Sequence, residues 1–330
     1  MTLAWIVAVA LPAAVAWIAI AALRRSRLAR MLADFPNERS LHAAPVPRVG
    51  GIGLVLGALP VALWLGDADI AVLVACAAAL AVVSAADDVR SLPISFRLPA
   101  HVAAATVAIL AIAAPAGAHE GLGVVEAALA ILAIVWMTNL YNFMDGSDGL
   151  AGGMAWIGFG ALAVAAAAAR QWPLAFACAA IASASAGFLA WNFPPARVFL
   201  GDAGSVPLGF LAAALGLLGT FTGAWALAFP ILVFSPFIAD ATVTLARRLV
   251  RGERFWRAHR SHYYQRLVLA GWSRRRLALS AYALMIAAAV MALVSRAAEP
   301  RMQLAIIAGW MALHAVLFIA IERRVRPFAT

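Results

Sequence analysis

Five aspartates in three short motifs hold most of the chemical potential of this sequence: Asp87-Asp88, then Asn139-Leu-Tyr-Asn142-Phe-Met-Asp145-Gly-Ser-Asp148-Gly, then Phe199-Leu-Gly-Asp202-Ala-Gly-Ser205. Clustered carboxylates favour a hard cation, and Mg²⁺ is usually held by one or two of them together with substrate phosphates. Asp87 and Asp88 follow an apolar segment, and the C-terminal end of a helix dipole disfavours anions, so a divalent cation, an arginine such as Arg90 or water has to compensate them. Asn139, Asn142, Asp145 and Asp148 recur at every third position, which on a helix would place them along one drifting stripe, with Gly146 and Gly149 opening a turn for a ligand. Asp202 lies between glycines just before another apolar segment, where free backbone N–H groups can face phosphate oxygens and where an aspartate is also an ordinary helix cap.

A later stretch reads Arg257-Ala-His259-Arg260-Ser-His262-Tyr-Tyr. Its histidines and arginines suit a diphosphate or a lipid phosphate, whereas His259 and His262 lack convincing partners for a zinc site. Arg48, in Pro-Val-Pro-Arg48-Val-Gly50-Gly51, adds a guanidinium near the paired glycines, which themselves suggest close helix packing.

The elements that must position these groups are membrane helices. The chain has 330 residues, 65% of them apolar and only 12% charged, about half the charge of a water-soluble domain. A helix crossing about 30 Å of hydrocarbon needs on the order of 20 apolar residues. Eleven segments qualify: 3–23, 50–66, 70–86, 98–115, 122–140, 150–169, 173–191, 205–222, 224–246, 277–295 and 302–321. The expected fold is an all-α polytopic bundle in a single membrane domain, 1–330. Cys76 and Cys178 fall inside apolar stretches and suggest neither a disulfide framework nor a metal site.

The net charge of +10 is carried by 25 arginines and no lysine. In a soluble protein it would suggest nucleic acid; here its distribution points to membrane lipid and no nucleic-acid partner. Alternating spans put 22 of the 25 arginines on one side, leaving Arg170, Arg296 and Arg301 on the other. The positive-inside rule makes the crowded side cytoplasmic, with the N-terminus periplasmic and the C-terminus inside. All the aspartate motifs then reach the cytoplasmic face, in loops of about 24–49, 87–97, 141–149, 192–204 and 247–276. Cation-binding acids, phosphate binders and a lipid boundary together suggest phosphoryl transfer between a soluble and a membrane-bound substrate.

In their order these motifs resemble the polyprenyl-phosphate sugar-1-phosphate transferases, the family of phospho-N-acetylmuramoyl-pentapeptide transferase and undecaprenyl-phosphate N-acetylglucosaminyl-1-phosphate transferase. The likeness runs from Pro-x-Arg-x-Gly-Gly in the first loop to the late histidines. It implies attack of undecaprenyl phosphate on the β-phosphate of a UDP-N-acetylhexosamine in the bacterial inner membrane, giving lipid-diphosphate-sugar and UMP, with Mg²⁺ required. By motif position, Asn142 and Asp202 would bind the metal with Asp145 close by, and Asp148 and Phe199 would contact the nucleotide. Asp87 resembles a proposed base and Asp88 its catalytic partner, while His259 and His262 would stabilise the diphosphate. A homodimer is also plausible from the family. The separated histidines and the eleventh span look more like the branch that starts O-antigen and other surface polysaccharides than like the pentapeptide transferases.

Elementary chemistry qualifies the base. A phosphate monoester has its second pKa at about 6, so at neutral pH the lipid phosphate is mostly dianionic already. Asp87 is expected chiefly to orient the nucleophile or a metal-bound water. Asp240, an acid inside the ninth span, is either functional or paired with an arginine. The rival classes are a transporter, which would keep its polar groups near the midplane and repeat its halves, and a membrane scaffold retaining decayed motifs.

Overall fold

The computed structural model describes residues 1–35, 45–113, 122–253, 259–296 and 298–325. Among these, the helices are α1 (Thr2–Leu23), α2 (Arg27–Met31), α3 (Gly50–Leu65), α4 (Ala68–Arg90), α5 (Ile94–Ala113), α6 (Val124–Phe143), α7 (Leu150–Ala168), α8 (Trp172–Asn192), α9 (Asp202–Phe221), α10 (Ala228–Val250), α11 (Tyr263–Leu269), α12 (Arg274–Ser295) and α13 (Pro300–Arg324). One antiparallel pair of two-residue strands, β1 (Ala33–Asp34) and β2 (Val46–Pro47), ties the segment after α2 to the approach to α3. In lipid only a helix or a closed barrel satisfies its own backbone, so long apolar stretches fold as helices.

All eleven expected spans are helices. Ten are long and apolar enough to cross a bilayer by length and composition, and α3 is shorter at 16 residues. The chain is a polytopic helical membrane protein.

Small side chains set the packing. α8 lies against α7, α1 and α3, and its sequence AFACAAIASASAG lets backbones approach closely where burial of apolar surface gives no drive. α9 is the other central helix, packed on α6 and α4. Where α3 meets α9, a Cβ at Gly51 would stand 2.5 Å from Gly204 Cα and 2.6 Å from the Leu200 carbonyl oxygen, so only glycine permits the approach. The same crossing satisfies the first N–H groups of α3: Gly50 donates to Phe199 O at 2.9 Å and Gly51 to Leu200 O at 2.8 Å.

Helix boundaries correct the loop assignment. α4 runs on past 86 to Arg90, α6 runs past 140 to Phe143, and α9 begins at Asp202 itself. Asp87, Asp88, Asn142 and Asp202 are therefore helix-end residues, and Asp202 is the first helical residue, with Gly201 at the cap position.

Candidate active site

The ends of α4, α6 and α9 and the start of α5 meet at one end of the bundle. Asp202 Oδ1 accepts a hydrogen bond from Asn142 Nδ2 at 2.8 Å, and the same amide donates to Ser205 Oγ at 2.9 Å. Asp88 Oδ2 accepts the backbone N–H of Ala203 at 3.2 Å, and Arg48 Nη1 lies 3.8 Å from its other oxygen. Arg48 also reaches Asp34 Oδ1 at 2.6 Å, so the β1–β2 pairing holds it over the acids.

Asp87 is compensated by an arginine, but by Arg97 of α5 and not Arg90. Arg97 Nη1 donates to Asp87 Oδ2 at 2.8 Å and lies 4.0 Å from Asp202 Oδ2, so one guanidinium spans two of the acids. The Leu92 N–H donates to Asp87 Oδ1 at 2.6 Å. Sequence reasoning counted Arg97 only toward topology; its place ten residues after Asp87, in the turn opening the next span, is the signal that points to it.

Asp145, in the turn after α6, is partly buried with Asp202 and Asp88 nearby. Burial first, and then those two negative charges, push its carboxyl well above the usual range, with Arg48 working against them. Asp87, Asp88, Asp145 and Asp202 thus face only Arg48 and Arg97 among the guanidiniums just described. Among the described residues no three acid, thiol or imidazole groups converge into a ready-made metal cage. Mg²⁺ does not require one, since it keeps waters and takes much of its coordination from substrate phosphates. The excess of hard oxygen donors at this end fits Mg²⁺, and Asp202 and Asn142, already paired, are the residues that would hold it.

The polar stripe divides where α6 ends. Asn139 Nδ2 lies 3.3 Å from His101 Nδ1 on α5, and Asn142 turns to Asp202. Asp148 Oδ2 instead accepts the Ala196 N–H at 3.0 Å and sits 3.5 Å from Arg274 Nη1. It lines a pocket of about 470 Å³ with Pro194, Pro195, Trp272, Arg274 and Arg275. Gly149, at φ 76°, closes the turn. Phe199 is held from its backbone: its N–H donates to Pro47 O at 2.9 Å, and its carbonyl accepts from Gly50.

The histidines sit together, their ring centres 4.9 Å apart. Burial, then His262 and Arg248, lower His259 from the usual imidazole range to about 4. Among the described residues Asp240 pairs with a histidine and with no arginine: its Oδ1 lies 3.3 Å from His262 Nδ1. Arg260 is exposed. Arg257 falls outside the described residues.

Residues 70–220, from α4 through α9, match Glycosyl transferase family 4. A Bacillus subtilis (strain 168) protein named as a probable undecaprenyl-phosphate N-acetylglucosaminyl 1-phosphate transferase is 30% identical over 288 residues, covering 83% of this chain and 80% of that one. A Yersinia pestis protein, undecaprenyl-phosphate alpha-N-acetylglucosaminyl 1-phosphate transferase, is 28% identical over 307 residues, 86% of this chain and 80% of that one. A phospho-N-acetylmuramoyl-pentapeptide-transferase of Heliobacterium modesticaldum (strain ATCC 51547 / Ice1) is 40% identical over 147 residues, 44% of each chain. With similarity over about four fifths of both chains and the acidic motifs inside the matched region, the chain belongs to glycosyl transferase family 4.

Proposed function

We propose that this protein transfers an N-acetylhexosamine-1-phosphate from a UDP-sugar to undecaprenyl phosphate, releasing UMP, on the cytoplasmic face of the bacterial inner membrane. The lipid-linked product would start O-antigen or another surface polysaccharide. One observation carries the reading: an apolar groove of about 490 Å³ between α6, α9 and α10, running from Leu122 to Leu140 and walled by Leu129, Trp136, Leu217 and Phe234. Leu140 precedes Asn142 by two residues on α6. A polyprenyl chain lying in this groove would deliver its phosphate to the acidic end.

There, a phosphate oxygen of the lipid attacks the sugar-bearing phosphorus, the bond from that phosphorus to the bridging oxygen breaks, and UMP leaves with that oxygen. Such transfers depend on positioning and on neutralising charge over the phosphates. When bound at Asp202 and Asn142, with Asp145 close by, Mg²⁺ supplies that neutralisation. Arg48 holds Asp88, and Arg97 holds Asp87. Both oxygens of Asp87 are already engaged, which supports an orienting role over that of a base. His259 and His262 stabilise the diphosphate, with Arg257 and Arg260 adding positive charge on the same loop. The nucleotide is assigned to Asp148 and its pocket, with Phe199 as the second contact.

The placement inside the cell is supported by the arginine bias, 22 of 25 on the side of the motifs. The donor is tested by incubating purified protein and undecaprenyl phosphate with UDP-N-acetylglucosamine, its epimers and UDP-N-acetylmuramoyl-pentapeptide. UMP release with a simple UDP-N-acetylhexosamine is expected. Release with the pentapeptide substrate alone would move the protein to peptidoglycan synthesis.

A further inference from the structure

Within α13 only Trp310 and His314 are buried. A polar ring inside a membrane helix needs a partner or a function. Trp310 is satisfied by α10, its Nε1 donating to Ser235 Oγ at 2.7 Å. His314 is satisfied on one side of its ring. Its Nδ1 lies 3.0 Å from the Trp310 carbonyl oxygen, and a carbonyl can only accept, so Nδ1 carries the proton and Nε2 is the bare acceptor, an assignment that follows from the partner. That Nε2 is buried, in a residue 2% exposed, and has no hydrogen-bond partner among the described residues.

His314 lines a slot of about 440 Å³ between α10 and α13, within the range of about 300–1,000 Å³ of small-ligand sites. Two facing stripes build it, each with a residue every fourth position: Ala239, Val243 and Arg247 on α10, and His314, Phe318 and Glu322 on α13. The slot is therefore apolar in its depth and charged at its mouth, where both helices end. The mouth is already neutralised. Arg247, the one guanidinium lining the slot among the described residues, pairs with Glu322. Tyr263, the first residue of α11, donates to Glu322 Oε1 at 2.5 Å while its ring stacks on Phe318 with centres 4.0 Å apart. His314 precedes Glu322 by two helical turns, about 12 Å along α13. The slot also uses a different face of α10 from the groove assigned to the polyprenyl chain, which takes Ile231, Phe234 and Ile238 of that helix.

The one buried polar atom of the slot without a partner is thus an acceptor set among hydrocarbon. An ionised phosphate or carboxylate has no proton to give it and would find Arg247 already paired. A hydroxyl does have one, and an apolar chain behind that hydroxyl matches the walls. We propose that this slot binds a single-chain lipid alcohol, its hydroxyl donating to His314 Nε2 and its chain lying between α10 and α13.

Full-length protein in nanodiscs, photolabelled with hexadecanol carrying a mid-chain diazirine, should take up label saturably on the α10 and α13 residues that line the slot. Unlabelled hexadecanol should compete at least about fivefold better than hexadecane or hexadecyl phosphate, in keeping with one neutral hydrogen bond. A parallel arm with geranylgeraniol separates an isoprenoid from a straight chain, and competition by either alcohol upholds the site. His314→Phe keeps a ring without the acceptor and should erase the preference for a hydroxyl. Ala315→Trp should fill the slot and cut labelling by at least about tenfold with His314 in place. Unsaturable label spread over lipid-facing helices, equal competition by the alkane or the phosphate, or a hydroxyl preference that survives His314→Phe would overturn the proposal. Should both variants fail to fold, competition in the wild type still decides.

Discussion

Replacing Asn142 by alanine removes one amide that joins two helices at the proposed metal centre. Its Nδ2 donates to Asp202 Oδ1 at 2.8 Å and to Ser205 Oγ at 2.9 Å. A hydrogen bond to an ionised partner is worth about 1.5–3 kcal/mol net, against about 0.5–1.5 kcal/mol for a neutral one. Ser205 keeps a second partner, the Gly201 carbonyl at 3.2 Å, so the bond to Asp202 dominates. At about 1.4 kcal/mol per decade, Asn142→Ala should lower kcat/KM by roughly 10- to 150-fold. If Asn142 holds Asp202 ready for a cation, the Mg²⁺ concentration for half-maximal rate should rise as well, and saturating Mg²⁺ should recover part of the loss. The assay is UMP release from UDP-N-acetylglucosamine with undecaprenyl phosphate across a MgCl₂ titration, alongside a melting curve to confirm folding. A folded variant with less than about a threefold loss and an unmoved Mg²⁺ dependence would refute the reasoning.

Three further outcomes follow from the same geometry. Gly51→Ala forces a Cβ against Gly204 Cα and the Leu200 carbonyl; overpacking typically costs about 1–3 kcal/mol, so the melting temperature in detergent should fall. Asp87→Asn removes at any pH the negative charge that Arg97 pairs with, so its fractional loss of rate should be similar at about pH 8 and about pH 5.5, whereas a base would show a much larger loss at the acid end, where the lipid phosphate is protonated. His259, lowered to about 4, is neutral at pH 7; a folded value below the unfolded one of about 6.5 stabilises the protein above pH 6.5, and that stability is lost as pH falls toward 4. Melting at pH 7 and pH 5 should show a smaller acid-induced drop in His259→Gln than in the wild type.

Much of this was legible in the sequence, because hydropathy and punctuation report where lipid ends. The apolar segments located the ten long helices and the shorter α3, yet not their ends. α4 and α6 continue into their motifs because backbone bonding does not stop when side chains turn polar, which moves Asp87, Asp88 and Asn142 from loops onto helix termini. Arg90 is only two residues from Asp88 in sequence, but Arg97 makes the contact with Asp87, since the chain reverses between α4 and α5 and carries Arg97 back over the acids. α11 left no periodic signal: seven residues cannot show one, and its start is capped by Asp240 from a different helix. The partners of Asp240 and Asp148 were invisible for the same reason, both being contacts across long separations in the chain.

The central claim is tested most directly by exchange. Purified protein in lipid nanodiscs, given undecaprenyl phosphate, Mg²⁺, a UDP-N-acetylhexosamine and radiolabelled UMP, should move label into the UDP-sugar. Omitting the lipid phosphate or adding a chelator should abolish it. No exchange with any UDP-N-acetylhexosamine, from protein that is folded and retains Asp87, Asp88, Asn142 and Asp202, would contradict the account.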